Sequence, residues 1–301
     1  MRKTNLPSLK KLKTKVGHAT KRSSKTGCTV LLFDPPALCG VHTAGGAPGT
    51  RETDLLDPTC MMDEIHGLLL SGGSAFGLSA ADGVMRFLAE RGVGYRIGGD
   101  RIPVVPAAVI YDRGVGKRDA PTPKDGYRAC KNCAYDSIAQ GRVGAGCGAT
   151  VGKFSDKLMP DRGGLSVLCE KFSNRISVAV VMVVNALGNV IDPASGKPVA
   201  CARDKKGNVK PFNSISGKIA QGANTTIGAI VTDAALSKQQ AKRIAMMAHD
   251  GLAKSINPSH TLYDGDTIFV ASTGGNKADV NALGIFCAEI TARAVIKAVT
   301  V

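Results

Sequence analysis

The junction at Thr225 carries the residue types needed for nucleophilic chemistry. Residues 192–224 are rich in Gly, Pro, Ser, Asn and Lys, as is typical of an exposed linker, and they lead directly into the apolar strand pattern of Thr226–Thr232. Cleavage of the Asn224-Thr225 bond would turn the Thr225 nitrogen into an α-amine with a pKa of about 8. That amine could accept the proton of the Thr225 hydroxyl, so one residue would supply nucleophile and base. The alternative is an ordinary junction between a loop and a strand.

Two further features could complete such a site. Asp264-Gly265-Asp266 precedes the predicted strand Thr267–Ala271, and its tight turn could aim a carboxylate at an ammonium. It could also be a plain surface turn, because the later ligands of a calcium loop are missing. Asn185 ends the most apolar predicted strand, where a polar side chain requires a reason. It could donate to an oxyanion, or it could begin a turn.

The remaining motifs indicate neither a metal nor a cofactor. The Gly-rich segment 144–153 fails the phosphate-loop pattern, because Cys147 takes the place of the first Gly and Phe154 follows Lys153. Cys130 and Cys133 have no second pair, and the five His show no metal-ligand spacing. Nine cysteines at irregular spacing favour free thiols in a reducing compartment, and hence a cytoplasmic protein.

Charge and length set the predicted domain organisation. The chain has 301 residues and a net charge of +15, and residues 1–25 hold nine Lys or Arg and no acidic residue. This pattern predicts a basic, disordered tail over residues 1–16 and a single catalytic domain over residues 17–301. A transit peptide is an alternative for the tail, whereas the lack of aromatic residues among its charges argues against nucleic-acid binding. No apolar run reaches the ~18 residues of a membrane span.

Periodicity predicts a mixture of strands and helices that would position these residues. The predicted strands are Thr29–Phe33, Ala37–His42, Leu68–Leu70, Pro103–Ile110, Leu165–Glu170, Ile176–Val184, Thr226–Thr232 and Thr267–Ala271. The predicted helices are Ser74–Arg91, Asp125–Gln140, one that begins with the capping box at Ser237, and Ala278–Lys297.

Several longer strings resemble one enzyme family. They are Gly45–Asp54, Leu70–Leu78, Ala80–Val84, Asn224–Gly228, Val231–Ala234, Met247–Ala253 and Asp264–Thr267. Together they resemble the L-aminopeptidase/D-esterase family, which includes β-peptidyl aminopeptidases and the nylon-oligomer (6-aminohexanoate-oligomer) hydrolases. The resemblance extends from about Gly17 to the C-terminus.

The resemblance implies a fold and a set of site residues. The fold would be an α+β, four-layer αββα sandwich like that of N-terminal-nucleophile hydrolases. The precursor would cleave its own chain between Asn224 and Thr225 and give an α chain (1–224) and a β chain (225–301). The residues that the resemblance assigns to catalysis are the nucleophile Thr225, the acidic pair Asp264 and Asp266, Lys153 near the nucleophile, Asn185 at the oxyanion and Tyr111 in the wall of the site.

One position departs from the family pattern. Val109 stands two residues before Tyr111, where the aminopeptidases have a Glu that receives the free amine of the substrate. We therefore expect an autoprocessing threonine amidohydrolase or peptidase that cleaves small peptides or amino-acid amides through an acyl-enzyme. By resemblance it would form a homo-oligomer of αβ units, with no membrane attachment. The alternatives are an acyltransferase of the ornithine acetyltransferase type and a non-enzymatic binding protein that uses the basic tail.

Overall fold

The computed structural model describes residues 8–173, 175–212 and 224–301, so part of the predicted linker, residues 213–223, lies outside the described residues. Its strands are β1 (Thr14–Lys21), β2 (Thr26–Thr43), β3 (Thr50–Arg51), β4 (Glu64–Ser71), β5 (Tyr95–Ile97), β6 (Asp100–Ile102), β7 (Ala107–Val109), β8 (Thr150–Val151), β9 (Asp161–Arg162), β10 (Gly164–Lys171), β11 (Ser177–Asn185), β12 (Asn189–Ile191), β13 (Pro198–Ala200), β14 (Thr225–Ala234), β15 (Ile256–Asn257) and β16 (Thr267–Asn276). The α-helices are α1 (Ala80–Ala89), α2 (Pro123–Lys131), α3 (Lys238–Ser255) and α4 (Val280–Thr300), and short 3-10 helices span Arg22–Ser24, Asp54–Leu56, Ser74–Ser79 and Gly144–Gly146.

One large sheet organises the described chain. Its strands follow the order β10-β11-β14-β16-β2-β4-β7-β3, with β1 paired to the first part of β2. Most neighbours are antiparallel, but β14 runs parallel to β16, and β4 runs parallel to β7. Every residue of β11 and β14 is buried, which is expected for central strands that are covered on both faces. The start of β14 therefore lies in the interior of the molecule.

The alternation of side chains along the strands separates three apolar layers. One face of the sheet contributes Leu31 and Leu70 from one half and Val181, Val183 and Ile227 from the other to a single inner core. The opposite face of β11, β14 and β16 packs under α3 and α4. The opposite face of β2 and β4 packs under α1 and α2. The two halves of the sheet thus face each other across the inner core, and the layers follow the order helix, half-sheet, half-sheet, helix, which confirms the four-layer αββα prediction.

The prediction of a disordered tail over residues 1–16 is wrong from residue 8 onward. Leu9, Leu12 and Val16 are buried in the inner core, and β1 already begins at Thr14. The ammonium of Lys11 lies 3.1 Å from the Asp233 carboxylate. The density of lysines concealed a short apolar pattern whose side chains point inward while the charges face solvent, and residues 1–7 lie outside the described residues.

Several element boundaries also differ from prediction. The helix expected over Ser74–Arg91 starts as a 3-10 helix and becomes α-helical only at Ala80. The helix expected over Asp125–Gln140 ends at Lys131. The predicted linker contains strand β13, and Cys201 and Ala202 after it are buried. No helix among the described residues is long and apolar enough to cross a membrane.

Candidate active site

Thr225 lies against the carbonyl group that precedes it. It is the first residue of β14, is only 5% exposed, and pairs with Asn185 across the antiparallel strand β11. Its hydroxyl Oγ1 donates a hydrogen bond to the Asn224 carbonyl oxygen. The backbone N–H of Gly265 donates to that same oxygen at 3.1 Å. A side-chain hydroxyl and a backbone hydrogen-bond donor therefore meet at one peptide carbonyl.

The acidic pair lies beside the start of β14, in the turn that leads into β16. Asp264 forms an isolated parallel bridge with Asn224, and its Oδ2 accepts hydrogen bonds from the backbone N–H and the hydroxyl of Thr261 at 2.8 and 2.6 Å. Asp266 Oδ1 accepts from the Thr226 N–H at 2.6 Å. Burial raises the pKa of Asp264, and the neighbouring charge of Asp266 adds to the shift. The parallel pairing of β14 and β16 brings these residues together from positions about forty apart in the sequence.

Lys153 and Asn185 form a second polar group beside Thr225. The Lys153 Nζ donates to the Asn185 backbone oxygen at 3.0 Å and to its Oδ1 at 2.8 Å. Asn185 is fully buried, its Oδ1 also accepts from the Thr150 N–H, and its Nδ2 donates to the Tyr111 carbonyl at 3.1 Å. Burial lowers the pKa of Lys153 to about 7, against the opposing effect of the charges of Asp264 and Asp112. This ammonium can therefore hold or release a proton near neutral pH.

A cavity of about 240 Å³ opens at Thr225. Its lining residues are Ala47, Pro48, Gly49, Ser74, Ala75, Val109, Ile110, Tyr111, Asn224, Thr225 and Tyr263. Tyr111 is 40% exposed at this cavity, whereas Val109 is buried in its wall. Among the described lining residues none carries a charge, so the wall offers small and apolar surfaces and a few hydroxyl groups.

Two loops that carry the family-like strings form the cavity walls. The Ala47 N–H donates to the Asp264 carbonyl at 2.8 Å, which holds the loop at Gly45–Asp54 on the acidic pair. On the other side, the Gly73 N–H donates to the Asp112 carboxylate at 2.7 Å and the Ser74 N–H donates to the Ile110 carbonyl at 2.9 Å. Gly73 has a φ of +82°, a conformation that favours glycine at this turn.

All six predicted catalytic residues lie near the start of β14, and the structure adds contacts that the sequence did not indicate. The backbone N–H of Gly265 was not predicted as a donor. His260 was also missed, although its Nδ1 lies 2.8 Å from Asp266 Oδ2. In the sequence, only its position four residues before Asp264 indicated that it could lie near the acidic pair. Within the described part of the chain, no group of three or more His, Cys, Asp or Glu side chains could hold a metal ion.

Comparisons with solved structures agree with this architecture. A β-aminopeptidase from a Burkholderia species superposes with a TM-score of 0.72 at 18% identity, covering 95% of this chain and 83% of that one. The L-aminopeptidase D-Ala-esterase/amidase of Ochrobactrum anthropi, described as a variant of the Ntn-hydrolase fold, gives a TM-score of 0.72 at 17% identity over the same shares of the two chains. These similarities confirm the predicted fold.

Sequence comparisons reach further. An uncharacterized aminopeptidase of Mycobacterium tuberculosis is 41% identical over 300 residues, which cover 91% of this chain and 85% of the relative. A 6-aminohexanoate-oligomer endohydrolase of a Kocuria species is 29% identical over 94% of this chain and 83% of the relative. The model of peptidase family S58 matches residues 13–301. The chain therefore belongs to peptidase family S58, and it is a hydrolase that acts on amide bonds.

Proposed function

We propose that this hydrolase is made as a precursor that cleaves itself between Asn224 and Thr225, and that Thr225 is then its N-terminal nucleophile. The contact of the Thr225 hydroxyl with the Asn224 carbonyl, whose oxygen accepts the Gly265 N–H, carries the proposal. These contacts hold the hydroxyl and one potential oxyanion donor at the same carbonyl group, and such proximity favours reaction.

The cleavage step follows from these contacts. The Thr225 Oγ1 attacks the Asn224 carbonyl carbon, its proton passes to a water molecule, and the Gly265 N–H stabilises the resulting oxyanion. A donor of this kind typically lowers the activation barrier by about 3–4 kcal/mol. The C–N bond then breaks and its nitrogen takes up the proton, which leaves Asn224 as an ester on Thr225 with a free α-amine. Hydrolysis of that ester by water gives chains 1–224 and 225–301.

The mature site would use the same atoms on a substrate amide. The α-amine of Thr225 accepts the hydroxyl proton as Oγ1 attacks, and an acyl-enzyme forms with release of the substrate amine. Water then hydrolyses the acyl-enzyme. Asp264 and Asp266 at the start of β14 would orient the α-ammonium, and Lys153, with its pKa lowered to about 7 by burial, lies next to Asn185 opposite the nucleophile.

The cavity wall favours an amide whose acyl part lacks a free ammonium group. Val109 and its apolar neighbours line the cavity, and no described lining residue offers a carboxylate. A substrate ammonium group would lose its hydration in this cavity without gaining an ion pair with a carboxylate. We expect an N-acetylated amino-acid p-nitroanilide to be hydrolysed at least as fast as the same compound with a free amine. A strict requirement for the free amine would contradict this assignment.

The state of the protein in the cell is part of the same proposal. All nine cysteines are free thiols, and burial raises the pKa of eight of them above the usual value; these are Cys28, Cys39, Cys130, Cys133, Cys147, Cys169, Cys201 and Cys287. Buried, protonated thiols fit the reducing cytoplasm.

We also propose that the protein forms a homo-oligomer of αβ units. Its mass, measured by light scattering on a size-exclusion column, would test this.

Isosteric substitutions test the nucleophile directly. Thr225→Val should remain one chain on a denaturing gel and by intact mass, and it should be inactive, whereas the unchanged protein should give the fragments 1–224 and 225–301. Thr226→Val is the matched control, because the Thr226 hydroxyl is buried without a hydrogen-bond partner among the described residues. That control should cleave normally. An active enzyme that stays a single 301-residue chain would refute the proposal.

A further inference from the structure

A cluster of three histidines lies behind the acidic pair. His260 places Nδ1 2.8 Å from Asp266 Oδ2, and its own backbone N–H donates to the same oxygen at 3.2 Å. The ring of His249 packs edge-on against His260, with centroids 4.8 Å apart, and against His42, with centroids 5.2 Å apart. Asp266 is buried, and its other oxygen holds the Thr226 N–H. A continuous path of contacts therefore leads from His260 through Asp266 to the residue after the nucleophile.

The hydrogen bonds indicate which of these rings carries charge. Both ring nitrogens of His260 face acceptors, since Nδ1 faces the Asp266 carboxylate and Nε2 lies 3.4 Å from the His249 carbonyl oxygen. An imidazolium, with two N–H groups, satisfies both. His249 is different: its Nε2 faces the His42 carbonyl at 3.0 Å, and its Nδ1 is buried without a partner among the described residues. A neutral ring suits that environment.

We propose that His260 is a positioning residue which, as an imidazolium, holds the Asp266 carboxylate directed at the Thr226 N–H. The inference rests on the proposed function of Thr225. Two buried carboxylates, Asp264 and Asp266, lie together at the start of β14, and a neighbouring cation offsets their mutual repulsion. The imidazolium would thereby keep the site geometry fixed, because Asp266 accepts the backbone N–H of Thr226, the residue that follows Thr225.

The electrostatic surroundings of the ring are consistent with this role. Burial opposes the charge of His260, but the hydrogen bond and the charge of Asp266, helped by Asp264, raise its pKa above the usual value. Burial lowers the pKa of His249 to about 4, and burial together with Lys242 and His260 lowers the pKa of His42. The charge on His260 is therefore present below its raised pKa and is lost as the pH rises through it.

The uncleaved Thr225→Val chain provides a readout that does not depend on activity. Ring ¹⁵N NMR should show His260 titrating above the usual histidine value, and Asp266→Asn in the same background should lower that pKa. His260 titrating at or below the usual value in the Thr225→Val chain would overturn the proposal. This measurement stands whether or not the unchanged protein cleaves itself, so it separates the two proposals.

Kinetics on the mature enzyme provide the second test. His260→Asn keeps a neutral amide near the position of Nδ1, and Asn tolerates the positive φ of +56° at this residue. We expect kcat to fall at least tenfold with little change in KM, and the fall in rate that accompanies His260 deprotonation to vanish from the pH profile. His42→Asn is the control in the same cluster and should behave like the unchanged enzyme, because its side chain does not contact Asp266. An unaltered rate and pH profile in His260→Asn would refute the proposal.

Discussion

At the scale of single residues, Gly265 shows how little room surrounds Thr225, the proposed nucleophile. A Cβ at this position would lie 2.9 Å from Thr225 Oγ1 and 2.8 Å from the Ala47 carbonyl oxygen. Gly265→Ala should therefore displace the hydroxyl and slow both self-cleavage and hydrolysis by at least about tenfold, since small misplacements cost large factors in rate. The measurement is the time course of cleavage by intact mass. Gly275→Ala, where a Cβ meets nothing within 4 Å, should cleave at the normal rate.

Lys153 should impose a pH dependence on stability. Its pKa is lowered to about 7 in the folded chain from 10.5, so between these values the unfolded state binds more protons. The free energy of unfolding then rises with pH across this window, by at most about 1.4 kcal/mol per pH unit from this residue. Urea unfolding at about pH 7 and about pH 8.5 should show this rise in the Thr225→Val chain. The rise should be smaller in the same chain with Lys153→Met, and equal slopes would contradict the burial of a titrating ammonium.

At the scale of elements, the contact between α3 and α4 depends on a small residue. A Cβ at Gly251 would overlap the Ala288 carbonyl and lie 2.9 Å from the Thr291 Cβ, both parts of a rigid helix. Gly251→Ala should therefore destabilise the protein by about 1–3 kcal/mol, despite the higher helix propensity of Ala. Gly284→Ala on α4 is a matched control, because its Cβ would meet only the flexible side chain of Met247. It should cost much less, as measured by urea unfolding.

At the scale of the whole molecule, the N-terminal segment belongs to the core. Leu12 is fully buried in the inner layer, next to residues from both halves of the sheet. Leu12→Ala should lower the free energy of unfolding by about 2–5 kcal/mol, the usual cost of such a truncation. Lys10→Ala, at an exposed position in the same segment, should have almost no effect. Equal, negligible effects would restore the interpretation of a disordered basic tail.

Local sequence patterns were sufficient for the elements with strong periodicity. The apolar strands β11 and β14 and the helices α3 and α4 were predicted nearly in full, because their burial leaves an unbroken or regularly repeating apolar pattern. The extent of α2 was overestimated, and the 3-10 start before α1 was missed, since the fraying and tightening of helix ends depend on contacts outside the helix.

The sequence by itself determined the residue types of the site: a threonine at the end of a polar linker, an acidic pair around a glycine, and an asparagine at the end of an apolar strand. Each had an ordinary alternative, because a residue pattern does not state which distant segments meet. Only the tertiary structure, through the parallel pairing of β14 with β16 and the antiparallel pairing with β11, placed Asn185, Asp266 and the Gly265 N–H around Thr225. The same long-range packing buried Leu12 completely and Lys153 and His260 in part, and these surroundings shift the pKa values of Lys153 and His260.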